Sequence, residues 1–375
     1  MKIVYIASSI IPSQSANSVH VMKMCSALAR LGNEVTLLVP DAVNEMQEGI
    51  NDVYAYYDVD ENFEIQYINW PRIKGKGIIF AITAARRAVR LKPDFIYGRN
   101  ISACYFSSVF GKVPVGYESH SPVKNEGSLL EYFFRKMLSK KHFVFLAVIT
   151  KSLEKYYLET YAISKRKIVV LPDASDPVCA KIALPFENNE SSKKLRIGYI
   201  GSFHKGKGIE TLIQLISQYA NAEYHIVGGN QKQVTEAKSA LSKIDNVKFY
   251  GFLSQKEAEK IRVSCDVLLA PYSSIVKSAG TLEIGKWMSP LKIFEYMAAG
   301  KAIIATDLPV LREVLNETNS ILVKENDIRG WVSAIQRLQD PQMRKKIGEQ
   351  AYMDFKENFT WDVRAKRLLD ETTRT

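Results

Sequence analysis

Cysteine is scarce in this chain of 375 residues: four in all, Cys25, Cys104, Cys179 and Cys265, far apart. They form no CxxC pair and no metal-ligand spacing, which excludes a zinc module or disulfide scaffold and fits a reduced, cytoplasmic protein. Long apolar runs are also missing. The longest, Ile3–Ile6 and Phe143–Ile149, are too short to cross a bilayer. Strand-like residues begin at once with no small-residue cleavage site after them, so no signal peptide is expected. No repeat of 20–50 residues stands out. The composition, 46% hydrophobic and 24% charged, sets aside disorder, collagen and coiled coil. A chain of this length holds about two domains.

Acidic charge is in deficit. Against 51 Lys and Arg stand 40 Asp and Glu, a net charge of +11, and residues 1–172 carry 22 basic against 15 acidic side chains. Arg72–Lys92 and Arg135–Lys141 contain no acid at all. Such a surplus fits nucleic acid, an anionic membrane or a phosphorylated substrate. Nucleic acid is the poorest of these, because no recognition motif occurs and the basic residues are spread along helical stretches.

What is present is a βα rhythm, played twice. Lys2–Ala7 reads as a strand, and Val21, Met24, Cys25 and Leu28 follow at helical spacing, with Gly32 where a helix ends. Apolar runs at Phe63–Ile68, Asp94–Tyr97, Val113–Tyr117, Phe143–Ile149 and Ile168–Leu171 alternate with helical patterns. Pro172–Pro177 and Glu187–Lys194 are polar and turn-rich, the marks of a linker. The rhythm then restarts at Leu195–Ile200, Glu223–Val227, Val247–Tyr250, Val267–Ala270, Ala302–Ala305 and Ser320–Val323, with helices over most of 327–373. Two doubly wound α/β domains follow, each with a parallel sheet covered on both faces. We set them at 1–172 and 193–356, with a terminal helix at about 357–375 crossing back to the first.

Four segments carry chemistry. In Ser289-Pro290-Leu291-Lys292-Ile293-Phe294-Glu295, Ser289 is a suitable helix cap and Pro290 a suitable first residue, so a helix and its anion-attracting amides should start here. Lys292 then falls in the first turn, where a cation opposes the helix dipole unless an anion is bound. Glu295 is placed to accept hydroxyl hydrogen bonds, as from a ribose; the plainer alternative is a solvated Lys292–Glu295 pair. The loop Gly201-Ser202-Phe203-His204-Lys205-Gly206-Lys207-Gly208 approaches a Walker A motif, but Gly208 replaces the hydroxyl residue that binds Mg²⁺. What remains is flexible backbone with Lys205 and Lys207, suited to a diphosphate, or else a glycine turn with two solvated lysines. Glu118 and His120 lie two residues apart at a strand end and so share a face. The loop Ser9–Ser18 lacks GxGxxG, against a dinucleotide dehydrogenase, and its Ser15 and Asn17 suit an acceptor or an ordinary βα loop.

Together these segments resemble the retaining GT-B glycosyltransferases of family 4, over nearly the whole chain and most densely from Leu195 to Thr306. The resemblance rests on the order Ile197-Gly-Tyr-Ile-Gly201…Lys207-Gly208, Asp266–Tyr272 and Ser289–Thr306, with Phe359-Thr-Trp361 near the end. It implies two Rossmann-like domains facing across a cleft. It also implies a nucleotide-sugar donor on the C-terminal domain, a saccharide or lipid-linked saccharide acceptor on the N-terminal one, and no metal or other cofactor. Lys207 would bind the donor diphosphate together with Lys292, Lys205, Gly201, Ser202 and the backbone of Ser289, Pro290 and Leu291. Glu295 would hold the ribose and His120 would touch the donor sugar; Glu118, Ser15 and Asn17 would lie on the acceptor side. The sequence departs from the family at two points. Trp287 stands where an acid is expected eight residues before Glu295, with Glu283 out of register, and Ser202 stands where an arginine is expected. A non-catalytic nucleotide-sugar-binding subunit or a GT-B epimerase are the alternatives. The stripe Leu130, Phe133, Phe134, Met137 and Leu138, beside Arg135, Lys136, Lys140 and Lys141, fits either a core-facing helix or one lying on an anionic membrane.

Overall fold

The computed structural model describes residues 1–178, 194–242, 244–276 and 285–373. The chain divides into two units, one of Met1–Asp173 with Trp361–Thr375, the other of Ala174–Thr360.

The first unit holds a parallel sheet of β1 (Lys2–Ile6), β2 (Glu34–Asp41), β3 (Glu64–Asn69), β4 (Phe95–Gly98), β5 (Val115–Ser119), β6 (Phe143–Val148) and β7 (Ile168–Val170), in the order β3-β2-β1-β4-β5-β6-β7. The second holds β8 (Leu195–Ile200), β9 (Ala222–Val227), β10 (Val247–Gly251), β11 (Val267–Ala270), β12 (Ala302–Thr306) and β13 (Ile321–Val323), in the order β10-β9-β8-β11-β12-β13. The order reverses between β1 and β4 in one sheet and between β8 and β11 in the other. Ligands bind beyond the strand ends at such switch points.

The strands explain why both faces are covered. In the second unit Leu195, Ile197, Tyr199, Val267, Leu269, Ala302 and Ile304 enter one apolar cluster. The alternate residues Ile200, Leu268, Ala270, Ile303 and Ala305 enter another on the opposite face. A strand buried on both sides reads as a continuous apolar run, as these do.

The predicted strands agree with the observed ones to within about two residues at each end. The helix expected from Ser289–Pro290 begins later: it spans Leu291–Ala298, with Pro290 as the cap residue at ψ 122° and no side chain capping it. That ψ keeps Pro290 outside the helix, so Lys292 is its second residue rather than its third. Most of the predicted linker at Glu187–Lys194, like Cys179 and Glu283, lies outside the described residues. On the helix Ser128–Leu138, Phe134 and Met137 are fully buried, whereas Leu129 and Tyr132 are 53% and 52% exposed.

Candidate functional site

At the switch point of the second sheet, β8 leads into the loop Gly201–Gly208 and β11 into Pro271-Tyr272. The loop is not flexible backbone, as its glycines implied; they are there because it is clamped. Gly206 and Gly208 have φ of +84° and +97°, and a Cβ on either would lie 2.1 Å from the carbonyl oxygen of Ile275 or Pro271. The Tyr199 hydroxyl reaches the carbonyls of Ser202 and Lys207 at 2.9 and 3.1 Å, tying the loop's two ends together. Ser202 and Lys205 are left exposed.

Lys292 is the central observation. It is 7% exposed, and its Nζ is buried with no hydrogen-bond partner. The ammonium sits 3.9 Å from the Tyr199 ring centroid and 5.1 Å from that of Tyr272, and Lys207 Nζ lies 5.2 Å from the same Tyr272 ring. Burial drives the Lys292 pKa well below the lysine range, with the Lys207 charge adding to the effect and Glu295 opposing it. Burial likewise lowers Lys207, to about 8. A Cβ at Gly201 would come within 2.6 Å of Lys292 Nζ, so glycine there keeps the ammonium's position open. Aromatic faces hold a cation only partly. Two cations sharing one ring, one of them with no acceptor, make a site that an anion completes.

Glu295, one turn along, does not pair with Lys292. Its Oε2 accepts from Arg262 Nη2 at 3.0 Å, and Arg262, from the helix Gln255–Ser264, is 5% exposed. That contact fixes the carboxylate and leaves Oε1 to accept from a ligand hydroxyl. Ser289 is buried and Pro290 and Leu291 half-buried beside this helix start.

In the first unit, Glu118 was expected to line an acceptor site. It is 1% exposed instead, and its oxygens are already engaged. Oε2 accepts from the Tyr97 hydroxyl. Oε1 accepts from His120 Nε2 at 2.5 Å and from Arg364 Nη2 at 3.0 Å. His20 Nε2 lies 2.9 Å from the same oxygen, while His20 Nδ1 bonds Asp173 Oδ1 at 2.8 Å. Burial alone would raise the Glu118 pKa, but Arg364, His20 and the His120 hydrogen bond hold it well below the usual carboxylate range. An ionised carboxylate only accepts, so His120 must carry its proton on Nε2 and presents a neutral Nδ1 as an acceptor. Burial and Arg99 lower the His120 pKa to about 4, against the upward pull of Glu118. His20, His120 and Asp173 offer ligand atoms within 4.8 Å of one another. The adjacent Arg364 guanidinium and the existing carboxylate contacts already balance that cluster. Ser15 caps the helix Ala16–Arg30 by accepting from the Ser18 amide at 3.1 Å, and Asn17 is exposed on its first turn.

Sequence reading did not find Tyr199, Tyr272, Arg262, His20, Asp173 or Arg364. Tyr199 and Tyr272 stand within sequence motifs but reach Lys292 from 93 and 20 residues away, and the other four lie tens of residues or more from the group they serve. Only the odd polar residue in an apolar stretch, such as His20 ahead of Val21 and Met22, marked any of them.

Parallel sheets of this order, one in each unit, define a two-domain Rossmann-like architecture of the GT-B kind. Solved structures agree over the whole chain. Sucrose-phosphate synthase from Thermosynechococcus elongatus matches with a TM-score of 0.72 at 17% identity, covering 100% of this chain and 99% of that one. HepE of Anabaena, in complex with UDP, matches with 0.72 at 14%, covering 100% of both. The lipopolysaccharide outer core galactosyltransferase WaaB matches with 0.69 at 13%, covering 100% and 99%. Residues 194–340 match the model of the glycosyl transferases group 1, and residues 18–177 match that of glycosyltransferase family 4. The chain belongs to this glycosyltransferase family. A relative in Methanocaldococcus jannaschii, an uncharacterized glycosyltransferase, is 24% identical over 63% of this chain and 61% of its own length. That match therefore spans less than two thirds of the relative.

Proposed function

We propose that the protein moves a hexose from a UDP- or GDP-linked sugar to a hydroxyl of a saccharide or lipid-linked saccharide, with retention of configuration and without a metal. The buried, unpartnered Lys292 ammonium carries this reading. It needs an anion, and with Lys207 it offers two charges, as a diphosphate leaving group requires. Glu295, steadied by Arg262, would take the ribose hydroxyls, and Lys205, Ser202 and the first amides of the helix Leu291–Ala298 would meet the outer phosphate oxygens. His120 would accept a hydrogen bond from a sugar hydroxyl. The departing phosphate oxygen would take the acceptor's proton. UDP in HepE and the lipopolysaccharide role of WaaB favour a uridine donor and surface-glycan assembly.

The test is a thermal-shift series of the purified protein with UDP, GDP, ADP and their sugar conjugates. A ligand held at 100 times its Kd stabilises the native state by about 2.7 kcal/mol. A response to one nucleotide, lost in Glu295→Ala and Lys207→Ala, supports the reading; a folded protein that answers to none of them overturns it. Donor binding without turnover on any acceptor would favour the non-catalytic alternative, to which Trp287 in place of the expected acid points. The exposed Leu129 and Tyr132 beside Arg135 and Lys136 also favour a cytoplasmic protein that touches an anionic membrane. Co-sedimentation with phosphatidylglycerol vesicles, weakened in the double variant Leu129→Ser, Tyr132→Ser, tests that contact.

A further inference from the structure

The switch point of the first sheet has an unfilled charge of its own. β1 and β4 run side by side with Ile6 opposite Gly98, so the chain leaving each strand passes the other's end. The Arg99 amide donates to the Ile6 carbonyl at 2.9 Å, and Asn100 Nδ2 donates to Ser8 Oγ at 2.9 Å, which holds the two exits together. Two side chains here have a buried polar atom with no hydrogen-bond partner: Arg99 at Nη1 and Ser9 at Oγ. The Tyr5 hydroxyl, from the same β1, is a third. Buried polar atoms are nearly always satisfied, and an arginine in such a place without an acceptor calls for an explanation.

Local carboxylates do not supply one. Glu118 and Asp173 are taken up by Arg364, His20, His120 and Tyr97, and Arg99 forms no ion pair among the described residues. Outside that network, Glu126 on the 3-10 turn Val123–Glu126 is an acid that feels Arg99. It bonds Ser121 at 3.4 Å, and Arg99 acts on it only through its field. Arg99 also acts electrostatically on His120, so a ligand that neutralises the guanidinium should be felt at the imidazole. A planar guanidinium with an open donor edge matches the paired oxygens of a phosphate or carboxylate.

We infer that the first unit binds an acceptor carrying an anionic group, phosphate or carboxylate, with Arg99 as its counter-charge and Ser9 as an added donor. The assignment rests on the transferase reading for the word acceptor; the anion site itself stands without it. A neutral sugar would leave Arg99 unpaired, so the charged group sets the substrate class.

The protein has five histidines, so ¹⁵N-histidine labelling gives a reporter at His120 that needs no turnover. Glucose 6-phosphate, glucuronate, inorganic phosphate and glucose are titrated separately. The anionic sugars should shift the His120 signals with saturation, and glucose should not; a stronger response to one of the two identifies the group as phosphate or carboxylate. Arg99→Gln should weaken that binding at least about tenfold, as loss of a charge-assisted pair does. Arg99→Lys should recover part of it, and Lys292→Met should leave it intact. Binding lost in Lys292→Met but kept in Arg99→Gln would put the anion in the second unit and overturn the inference. Equal binding of glucose and glucose 6-phosphate would overturn it too, as would no His120 response to any anion. Failure of the nucleotide series above, with this titration succeeding, would leave the anion site standing.

Discussion

Lysine at position 292 is a poor residue for stability and a good one for an anion. Methionine has similar length and no charge to desolvate, so Lys292→Met should raise the melting temperature while removing the response to nucleoside diphosphates. Each kcal/mol gained is worth about 2–4 °C in a domain of this size. A variant that melts lower than the parent would mean the ammonium has a stabilising partner. Lys207 makes a prediction in pH. Its folded pKa of about 8 lies below the roughly 10.4 of an unfolded lysine, so between those values the unfolded chain binds more protons. Stability of the ligand-free protein should therefore rise with pH through that window. Nucleotide affinity should fall over the same range, because deprotonated Lys207 no longer attracts phosphate. Calorimetry from pH 7 to 10 reads both trends; Lys207→Met should show a shallower rise, the remainder coming from Lys292, whose pKa burial also lowers.

At the scale of elements, the loop Gly201–Gly208 and the helix Leu291–Ala298 show what each glycine does. Gly208→Ala sets a Cβ 2.1 Å from a carbonyl oxygen at a φ of +97°, and neither the oxygen nor the backbone can yield cheaply. It should cost about 2 kcal/mol or more. Gly201→Ala meets only the flexible end of Lys292, at 2.5–2.6 Å, so the fold should persist while the ammonium swings away. The expected outcome is a melting temperature near the parent's with diphosphate affinity reduced at least about tenfold; the two variants behaving alike would refute the distinction. These elements also show what the sequence makes legible. Ile197–Gly208 and Ser289–Gly300 announce a strand, a glycine loop and a helix start, because backbone preferences are local. The aromatic floor beneath Lys292 is not announced, since Tyr199 and Tyr272 reach it from β8 and from the end of β11. The cap falls at Pro290 and not at Ser289, because both are good helix starters and only the backbone angle decides between them. Glu118 read as a ligand contact because alternation gives a face; whether that face is dry is decided by Arg364, 246 residues away.

For the whole chain, the path matters: after building the second unit it returns to finish the first. Within the first unit the terminal helix Trp361–Thr373 buries Trp361 at 2% exposure, its ring 5.1 Å from that of His20. Ala365 and Leu368 are fully buried, and Arg364 brings the cation that Glu118 and Asp173 need. A chain ending at Thr360 would leave the buried carboxylates of Glu118 and Asp173 without the guanidinium packed against them. Breaking such a pair costs about 3–5 kcal/mol. Losing the indole costs a similar amount again. Together these approach the 5–15 kcal/mol that holds a domain folded. The truncated protein should therefore show amide exchange through β1, β4, β5 and β6 at nearly unfolded rates. The second unit, whose core clusters include nothing beyond Phe359, should keep its protection and its nucleotide response. Arg364→Met separates the two causes: it retains the helix and its apolar packing, so the first unit should stay folded but lose a few kcal/mol, recovered in part by Arg364→Lys. Full protection of β5 in the truncated chain would show that Glu118 finds its charge balance elsewhere, and the role given to the returning helix would fall with it.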